Sequence, residues 1–335
     1  MNDLSPDCLN TRLLDEFQRD LPLVPRPFAA MAEALETTEA DVLDRLRHLR
    51  GAGRITRVGA TCRPNTAGAS TLAALAIPEA RIEEVASIVG AEPGVNHSYL
   101  REDDWNLWFV ATAPSDAELA ASLQRIETAS GLPVLSLPLV RPFNIDLGFP
   151  LRGPRMALGL DRPADLAVLR DDDRPLMQAL SQGLALVPRP FAALAETLGR
   201  TETDLLDRIA VLADARLLTR VGVIVRHRAL GWRANAMVVW QLPADRIESA
   251  GTALAQIPGV TLCYQRRTVP GVWNWPLFCM IHARSRHEAI SVLDRARALP
   301  DLAGVPHKVL FSTRCFKQSG ALIVDADRPA AGVAP

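Results

Sequence analysis

The sequence consists of two similar copies of one unit, and this duplication limits the folds that the chain can adopt. The stretch LPLVPRPFAAMAEAL from Leu21 returns as LALVPRPFAALAETL from Leu184, 163 residues later. VLDRLRHLRGAGRITRVGA and LLDRIAVLADARLLTRVGV match at the same offset. The two tyrosines of the chain, Tyr99 and Tyr264, also hold matching positions, each two residues before an arginine. A stable fold must therefore accommodate two similar halves.

Each half consists of a helical part followed by an alternating part. Helical spacing, a helix start of Thr and acidic residues, and the β-rich ITRVGATCR together predict a winged helix-turn-helix. Strand and helix patterns then follow as β-α-β-β-α-β, the ferredoxin-like order. The predicted class is α+β, and the combination resembles Lrp/AsnC regulators, here as a pseudo-dimer within one chain. The predicted parts are a winged helix at 1–70, a ferredoxin-like domain at 71–150, a linker at 151–172, a second winged helix at 173–233 and a second ferredoxin-like domain at 234–325.

The length and composition suit a folded protein of two or more domains. Of the 335 residues 48% are apolar, and the net charge of −1 gives no general attraction to nucleic acids. No apolar run is long enough to span a bilayer and the start lacks a signal-peptide core, so we expect a cytoplasmic protein. The five cysteines form no C-x-x-C pair, which predicts free buried thiols rather than a zinc or disulfide framework.

A winged helix-turn-helix commonly binds DNA, but the expected recognition helices have the wrong charge. A helix that reads bases presents Arg, Lys, Asn or Gln in its first turns. The corresponding helices begin TTEADVLDRL and TETDLLDRI, whose acidic side chains suit a helix N-terminus but would repel phosphates. We expect Arg45 and Arg208 to form surface pairs with nearby acids. The sequence therefore argues against a nucleic-acid partner.

The candidate site lies in the two segments around Tyr99 and Tyr264, which we call the tyrosine motifs. Tyr99 and Arg101 alternate along a predicted strand, as do Tyr264 and Arg266, so each pair faces one side of its sheet. A Trp-Asn pair opens the next strand in each half. An aromatic sheet interface with a satisfied arginine would also give this pattern. Arginines that recur among aromatic and apolar neighbours instead favour a flat, polyanionic ligand, because a guanidinium binds a carboxylate through two hydrogen bonds.

Several motifs together resemble the siroheme (sirohaem) decarboxylases, the Lrp-like enzymes of heme d1 biosynthesis and of the alternative heme pathway. These are LVPRPFAALAE, LLDRIAVLADARLLTRVG, HSYLRE with WNLWF, CYQRR with WNWPLFCMIHA, and STRCFKQ. Each motif alone is weak. Their order in a fused duplication covers most of the chain and is similar to the fused D–L form of heme d1 biosynthesis.

The resemblance implies the reaction. Siroheme loses carbon dioxide from the acetate groups at ring carbons 12 and 18, which become the methyl groups of 12,18-didecarboxysiroheme. No redox change, no protein metal site and no cofactor beyond the iron-containing substrate siroheme is implied. Because no apolar run could span a bilayer we expect no membrane partner, and the sequence leaves open a second decarboxylase subunit or further homo-oligomerisation.

The resemblance also suggests roles for the residues of the tyrosine motifs. The expected proton donor is His97, which lies on the same strand face as Tyr99, and the tyrosines Tyr99 and Tyr264 are further catalytic candidates. Leu262 takes the place of His97 in the second half, so we expect one working cleft. The expected substrate-binding residues are Arg101, Trp105, Asn106, Arg141, Arg266, Arg267, Trp273, Asn274 and Lys317.

The remaining histidines receive no catalytic role from the sequence. His282 could be an iron ligand or a surface residue, and we expect it at the surface; we expect His48 and His227 in structural or solvent-exposed positions. Two alternative functions stay open at this point. A ligand-responsive regulator of the Lrp/AsnC type needs an intact DNA-reading helix. A tetrapyrrole sensor or carrier needs the same arginines and aromatic residues, but no proton donor.

Overall fold

The computed structural model describes residues 8–145, 148, 151 and 163–324 of the chain. Within these ranges both halves contain the same order of helices and strands, so the predicted α+β duplication is confirmed. Residues 152–162 of the predicted linker lie outside the described part, as do residues 1–7.

The secondary structure follows the repeat closely. The helices are α1 (Leu9–Glu16), α2 (Pro27–Ala34), α3 (Glu39–Gly51), α4 (Ile82–Ala91), α5 (Asp116–Ser130), α6 (Asp173–Gln182), α7 (Pro190–Thr197), α8 (Glu202–Asp214), α9 (Ile247–Ala255) and α10 (Arg286–Arg297). The strands are β1 (Ile55–Cys62), β2 (Ala69–Leu75), β3 (Val95–Arg101), β4 (Leu107–Ala113), β5 (Leu135–Ile145), β6 (Leu218–Val225), β7 (Ala234–Trp240), β8 (Val260–Arg266), β9 (Leu277–Ala283) and β10 (His307–Gln318). Across the described ranges, no helix combines the length and the apolar character that a membrane span requires.

The helix starts show why the helical parts form where the sequence indicates. Thr38 and Thr201 precede α3 and α8, and each side-chain oxygen accepts a hydrogen bond from the backbone nitrogen three residues later at 3.2 Å. These bonds satisfy amide groups that a helix start leaves without partners. Pro27 and Pro190 occupy the first positions of α2 and α7, where proline loses no helical hydrogen bond.

The two wings pair with each other. β1 and β6 form a two-stranded antiparallel sheet in which Gly59 lies opposite Gly222. Each wing also binds the segment that follows the first helix of the other copy. The Leu184 amide donates to the Val58 carbonyl at 2.7 Å, and the Leu21 amide donates to the Val221 carbonyl at 3.1 Å. The winged helices are therefore interlocked through their backbones.

The eight remaining strands form one closed barrel in the order β10-β3-β4-β2-β5-β8-β9-β7. The ferredoxin-like order is retained within each half, but the edge strands cross between the halves. The first part of β5 pairs with β2, whereas Leu139 to Ile145 pair with β8. β10 repeats this arrangement with β7 and then β3. Because the barrel is closed, neither sheet has an exposed edge.

Alternation along the barrel strands separates two layers of side chains. In β2, Leu72 and Ala74 face the barrel interior, whereas Ala73 and Leu75 pack outward with α4 and α5. β7 places Met237 inward and Val238 outward against the core that contains α9 and α10. The barrel interior thus receives one residue in two from every strand, and its lining is set by strand register.

The charges of α3 and α8 agree with the expectation that neither helix reads DNA. Glu39 and Glu202, in the first turns, form ion pairs with Arg26 and Arg189. Arg45 pairs with Asp41, as expected for a partly exposed side chain. The prediction for Arg208 was wrong in one respect, because its ion pair with Asp173 is buried rather than at the surface.

The close approach of the wings generates a stability prediction. A side chain at Gly59 would overlap the backbone oxygen of Leu180, which belongs to the other copy. Gly59→Ala should therefore lower the free energy of unfolding by roughly 1–3 kcal/mol, the usual cost of overpacking. Thermal and urea unfolding would measure the change.

Gly90 provides a matched control, because it lies within α4 and an added Cβ there meets nothing within 4 Å. Gly90→Ala should leave stability unchanged or raise it by about 0.5–1 kcal/mol through helix propensity. Equal effects of the two substitutions would contradict the packing account.

Candidate active site

A cavity of about 1040 Å³ lies between the barrel and the paired wings. Its walls come from both copies: β1 and β6 contribute the wing side, and the inward faces of β3, β4, β8 and β9 contribute the barrel side. Gln318, Ser319 and Ala321, at and beyond the end of β10, also line it, as do residues of β2, β5 and β7 and residues 213–216 at the end of α8. The volume is at the upper end of the range that small-molecule sites occupy.

The two tyrosine motifs meet in this cavity. Tyr99, Arg101, Tyr264 and Arg266 all line it, two from each half. The guanidinium carbon of Arg101 lies 5.5 Å from the centre of the Tyr99 ring, and that of Arg266 lies 4.5 Å from the Tyr264 ring. Burial raises the pKa of both tyrosine hydroxyls, so both side chains are neutral at neutral pH.

Three arginines of the cavity lack a carboxylate partner within the part of the chain that the structure describes. Arg57 donates to the Ala60 carbonyl at 3.3 Å, and Arg266 donates to the Leu137 carbonyl at 2.8 Å. Arg101 is 6% exposed, and burial lowers its pKa to about 10, so it stays charged at neutral pH. The Nε atom of each arginine is buried without a hydrogen-bond partner in the described ranges. Uncompensated buried cations favour an anionic ligand, because a buried charge without a counter-charge is costly.

His97 lies in the cavity as a half-buried side chain. Its Nδ1 atom is 2.9 Å from the Asn96 side-chain oxygen, which can only accept, so Nδ1 carries the proton and donates. Burial, and then the nearby Arg57 charge, lower the pKa of His97 to about 4. At neutral pH His97 is thus a neutral imidazole whose Nε2 has a lone pair.

Two further histidines line the same cavity and were missed from the sequence. The expectation that His282 lies at the surface was wrong, because it is 4% exposed in β9. Strand alternation could have placed it, since His282 shares the inward face with Phe278 and Met280. His227 is buried within the short 3-10 helix His227–Leu230 rather than in a strand, so no periodicity marks it. Its pKa falls to about 4 through burial, then through the Arg228 charge, and further through His97 and Arg101.

The Trp and Asn residues expected to bind substrate lie outside the cavity lining. Trp273 is buried inside the barrel, with its ring centre 5.1 Å from that of Trp108, and Trp105 packs against the same cluster. Asn106 makes both of its amide bonds with the Ile77 backbone, at 2.8 and 2.9 Å. Asn274 is exposed. In place of Trp105, Trp108 provides an indole surface at the cavity wall.

Three expected cationic residues also lie away from the cavity. Arg141 is exposed and pairs with Glu248 at 3.2 Å. Arg267 is exposed. Lys317 donates to the carbonyls of Gly90 and Glu92, at 2.8 and 3.1 Å. The structure thus brings together one arginine of each tyrosine motif, and the wing strands β1 and β6 add Arg57 and Arg220 to the lining.

Searched over the described ranges, the structure contains no group of three or more His, Cys, Asp or Glu side chains suited to hold a metal ion. The five cysteines, all within those ranges, are free thiols. The chemical groups of the cavity thus include cationic arginines, the neutral His97 and His227, protonated tyrosines and an apolar wall, and the carboxyl groups of Asp165 and Asp214 also belong to the lining.

Comparisons with known proteins agree with this architecture. A family model described as AsnC-like ligand binding domain matches residues 67–144 and 229–317. A second, described as siroheme decarboxylase NirDL-like HTH domain, matches residues 10–55 and 173–218. Fold and cavity thus define a fused pair of AsnC-like ligand-binding units with a shared internal site.

Individual relatives narrow this class. The siroheme decarboxylase NirDL subunit of Paracoccus denitrificans is 70% identical over 322 residues, which cover 96% of this chain and 99% of the relative. The siroheme decarboxylase NirD subunit of Stutzerimonas stutzeri is 49% identical over 148 residues, 44% of this chain and 97% of the relative. The crystal structure of the siroheme decarboxylase NirDL in co-complex with an iron-uroporphyrin III analogue covers 93% of this chain and 92% of its own, with 26% identity and a TM-score of 0.64. The chain belongs to the siroheme decarboxylase family of carboxy-lyases, which confirms the resemblance of its motifs.

The lowered histidine pKa values predict a pH-dependent stability. The pKa of His97 and of His227 is about 4 in the folded chain, below the ordinary value of 6.5. Between these values the unfolded chain binds more protons, so acidification from pH 6.5 to 4 should lower the free energy of unfolding. Urea unfolding across this range would measure the fall.

The double variant His97→Gln/His227→Gln should show a shallower fall over the same range. Above pH 6.5 both histidines are neutral in the folded and unfolded states. Their contribution to the free energy of unfolding should therefore not change with pH. Identical slopes for the variant and the parent protein would contradict the assigned pKa shifts.

Proposed function

We propose that this chain decarboxylates siroheme at the acetate groups on ring carbons 12 and 18, and forms 12,18-didecarboxysiroheme for heme d1 biosynthesis. The observation that carries the proposal is the cavity with three arginines, Arg57, Arg101 and Arg266, that have no carboxylate partner among the described residues. Siroheme is a flat macrocycle with carboxylates around its rim, so its shape and charge complement those of the cavity. The family assignment supplies the reaction type.

Binding begins with charge pairing at the rim of the macrocycle. Arginine holds a carboxylate through two parallel hydrogen bonds, and such bonds are stronger where water is excluded. Arg101 and Arg266 both line the cavity, one from each half, and each can hold one carboxylate of the ring. Trp108 and Met280 offer an apolar surface to the macrocycle itself. Both halves of the site come from one chain, so a separate second subunit is not needed to build it.

Decarboxylation breaks the bond between the acetate methylene and its carboxylate. Carbon dioxide leaves, and the electron pair that remains on the methylene carbon is delocalised into the macrocycle. Transfer of one proton to that carbon completes the methyl group. The protein contributes by holding the other carboxylates, by leaving the reacting carboxylate poorly solvated, and by supplying the proton. The proposal includes no cofactor beyond the substrate.

His97 is the proposed proton donor. Burial, and then the neighbouring Arg57 charge, hold its pKa at about 4, so His97 is neutral in the free protein at neutral pH. A polyanionic substrate would neutralise Arg57 and add negative charge beside the imidazole, which raises the pKa of His97. Substrate binding itself would thus load His97 with the proton that it donates. Tyr99 and Tyr264 stay protonated and orient the reacting group or serve as further donors.

The second candidate is a tetrapyrrole carrier without catalysis, which the same arginines would favour. A transcriptional regulator is not favoured, because acids occupy the first turns of both recognition helices. The five free cysteines suit a reducing compartment, which supports a cytoplasmic location.

Anaerobic incubation of the purified protein with siroheme, followed by mass spectrometry of the extracted tetrapyrrole, tests the proposal. Loss of two carbon dioxide units is the expected result. Tight binding without a change in mass would favour the carrier and overturn the proposed activity.

Replacement of His97 tests the proton donor. His97→Gln should lower kcat by roughly 100-fold or more, the usual contribution of general acid catalysis, with a smaller change in KM. His48→Gln, an exposed histidine of α3, is the control and should retain parental kinetics. Full activity of His97→Gln would exclude His97 as the donor.

Two adjacent arginines give a matched test of substrate binding. Arg266 lines the cavity, whereas Arg267 is exposed and outside the lining. Arg266→Gln should raise the Kd for siroheme by roughly 10-fold to 100-fold, as expected for one lost charge-assisted pair. Arg267→Gln should have a much smaller effect. Fluorescence or absorbance titration would compare them, and a larger effect of Arg267→Gln would contradict the assigned geometry.

A further inference from the structure

A chain of buried hydrogen bonds runs from Arg101 of the first half into the second half. Arg101 Nη1 donates to Asn235 Oδ1 at 3.1 Å, and Asn235 Nδ2 lies 2.8 Å from His282 Nε2. His282 Nδ1 lies 2.7 Å from Thr261 Oγ1, and that hydroxyl donates to the Met280 carbonyl at 3.1 Å. Arg101, Asn235, Thr261 and His282 are each at most 6% exposed. Water is thus largely excluded along the chain.

The chemistry of the groups determines the direction of each bond. A guanidinium only donates, so the amide oxygen of Asn235 faces Arg101 and its NH₂ group faces His282. The NH₂ group also only donates, so His282 Nε2 must be an acceptor. The imidazole proton is therefore on Nδ1 and is donated to Thr261, whose own proton is used on the carbonyl. Only a neutral His282 with the proton on Nδ1 satisfies all four contacts.

We propose that Asn235, His282 and Thr261 form a positioning relay that holds the Arg101 guanidinium toward a substrate carboxylate, with His282 fixed as the neutral Nδ1–H tautomer. Neither nitrogen of His282 is free to act on the substrate, because both are used within the relay. His282 is therefore a positioning residue, although its ring lines the cavity. The effect on substrate rests on the proposed function, whereas the tautomer does not.

The repeat shows that the relay belongs to one side of the cavity. Arg101 also donates to the Leu310 carbonyl at 3.2 Å, and its counterpart Arg266 donates to the Leu137 carbonyl at 2.8 Å. Ser70 and Thr112 occupy the barrel positions that match Asn235 and His282. Ser70 instead donates to Asn65. The second half thus orients an arginine of the first half, and the reverse contact is not formed by these side chains.

The tautomer can be measured without any substrate. The full-length protein labelled with ¹⁵N-histidine would be studied by long-range ¹H–¹⁵N NMR at neutral pH, with His282→Gln used to assign the signals. A neutral His282 with the proton on Nδ1 is the expected result. An Nε2–H tautomer or an imidazolium would overturn the relay, whatever the protein does to siroheme.

Thr261 gives the kinetic test, because it lies outside the cavity lining and reaches Arg101 only through the relay. Thr261→Val removes the acceptor of the His282 proton at nearly constant volume. It should raise KM for siroheme by about 10-fold with little change in kcat, as loss of ground-state and transition-state binding together would do. Thr261→Ser restores the hydroxyl and should return KM to within about twofold of the parent.

Thr197→Val is the matched control, since it removes a hydroxyl that donates only to the Ala193 carbonyl in α7. Its KM should equal that of the parent protein. A parental KM in Thr261→Val, or a raised KM that serine does not restore, would overturn the relay. If the parent protein leaves siroheme unchanged, the proposed function fails, and the NMR measurement still decides the relay.

Discussion

Backbone pairing between the two copies is the constraint on which the rest of this structure depends. Each copy alone would present two unpaired sheet edges, and the long strands β5 and β10 would extend beyond their own sheets. Pairing with β8 and β3 removes all four edges and closes the barrel. The wings are joined in the same way through β1 and β6. The cavity exists only because these two closures leave a space between them.

The duplication, the helix starts and the ferredoxin-like order could be predicted because they depend on local pattern. Thr38 and Thr201 cap helices by accepting a hydrogen bond from the backbone nitrogen three residues later. Tyr99 and Arg101 lie on the same face of a strand because side chains alternate along it. The crossing of β5 could not be predicted, because its partner strand β8 belongs to the other copy. For the same reason the sequence did not show that the tryptophan of one half, Trp273, packs on Trp108 of the other.

The candidate site was partly predictable for a related reason. The tyrosine motifs concentrate aromatic and cationic groups on one face, and they do line the cavity. Side chains near them in sequence, such as Asn106 and Arg267, were expected there too, but one holds the Ile77 backbone and the other faces solvent. Arg57 and His227 arrive from wing segments that are distant in sequence. The packing of helices and strands against each other determines which residues line a cavity. Local sequence periodicity does not indicate this packing.

The two halves of the barrel are related by an approximate twofold axis, and His97 and Leu262 occupy equivalent positions in them. The difference between these two residues therefore affects how the cavity can bind its ligand. A symmetric dimer of one copy would present every cavity group twice, in equivalent positions, and could not tell one edge of its ligand from the other. A fused chain can vary each position separately. The macrocycle of siroheme has no true twofold axis. A cavity whose two sides differ can therefore bind it in one orientation and distinguish its acetate groups. Fusion of the two copies in one chain thus allows the two sides of the cavity to differ, as His97 and Leu262 do.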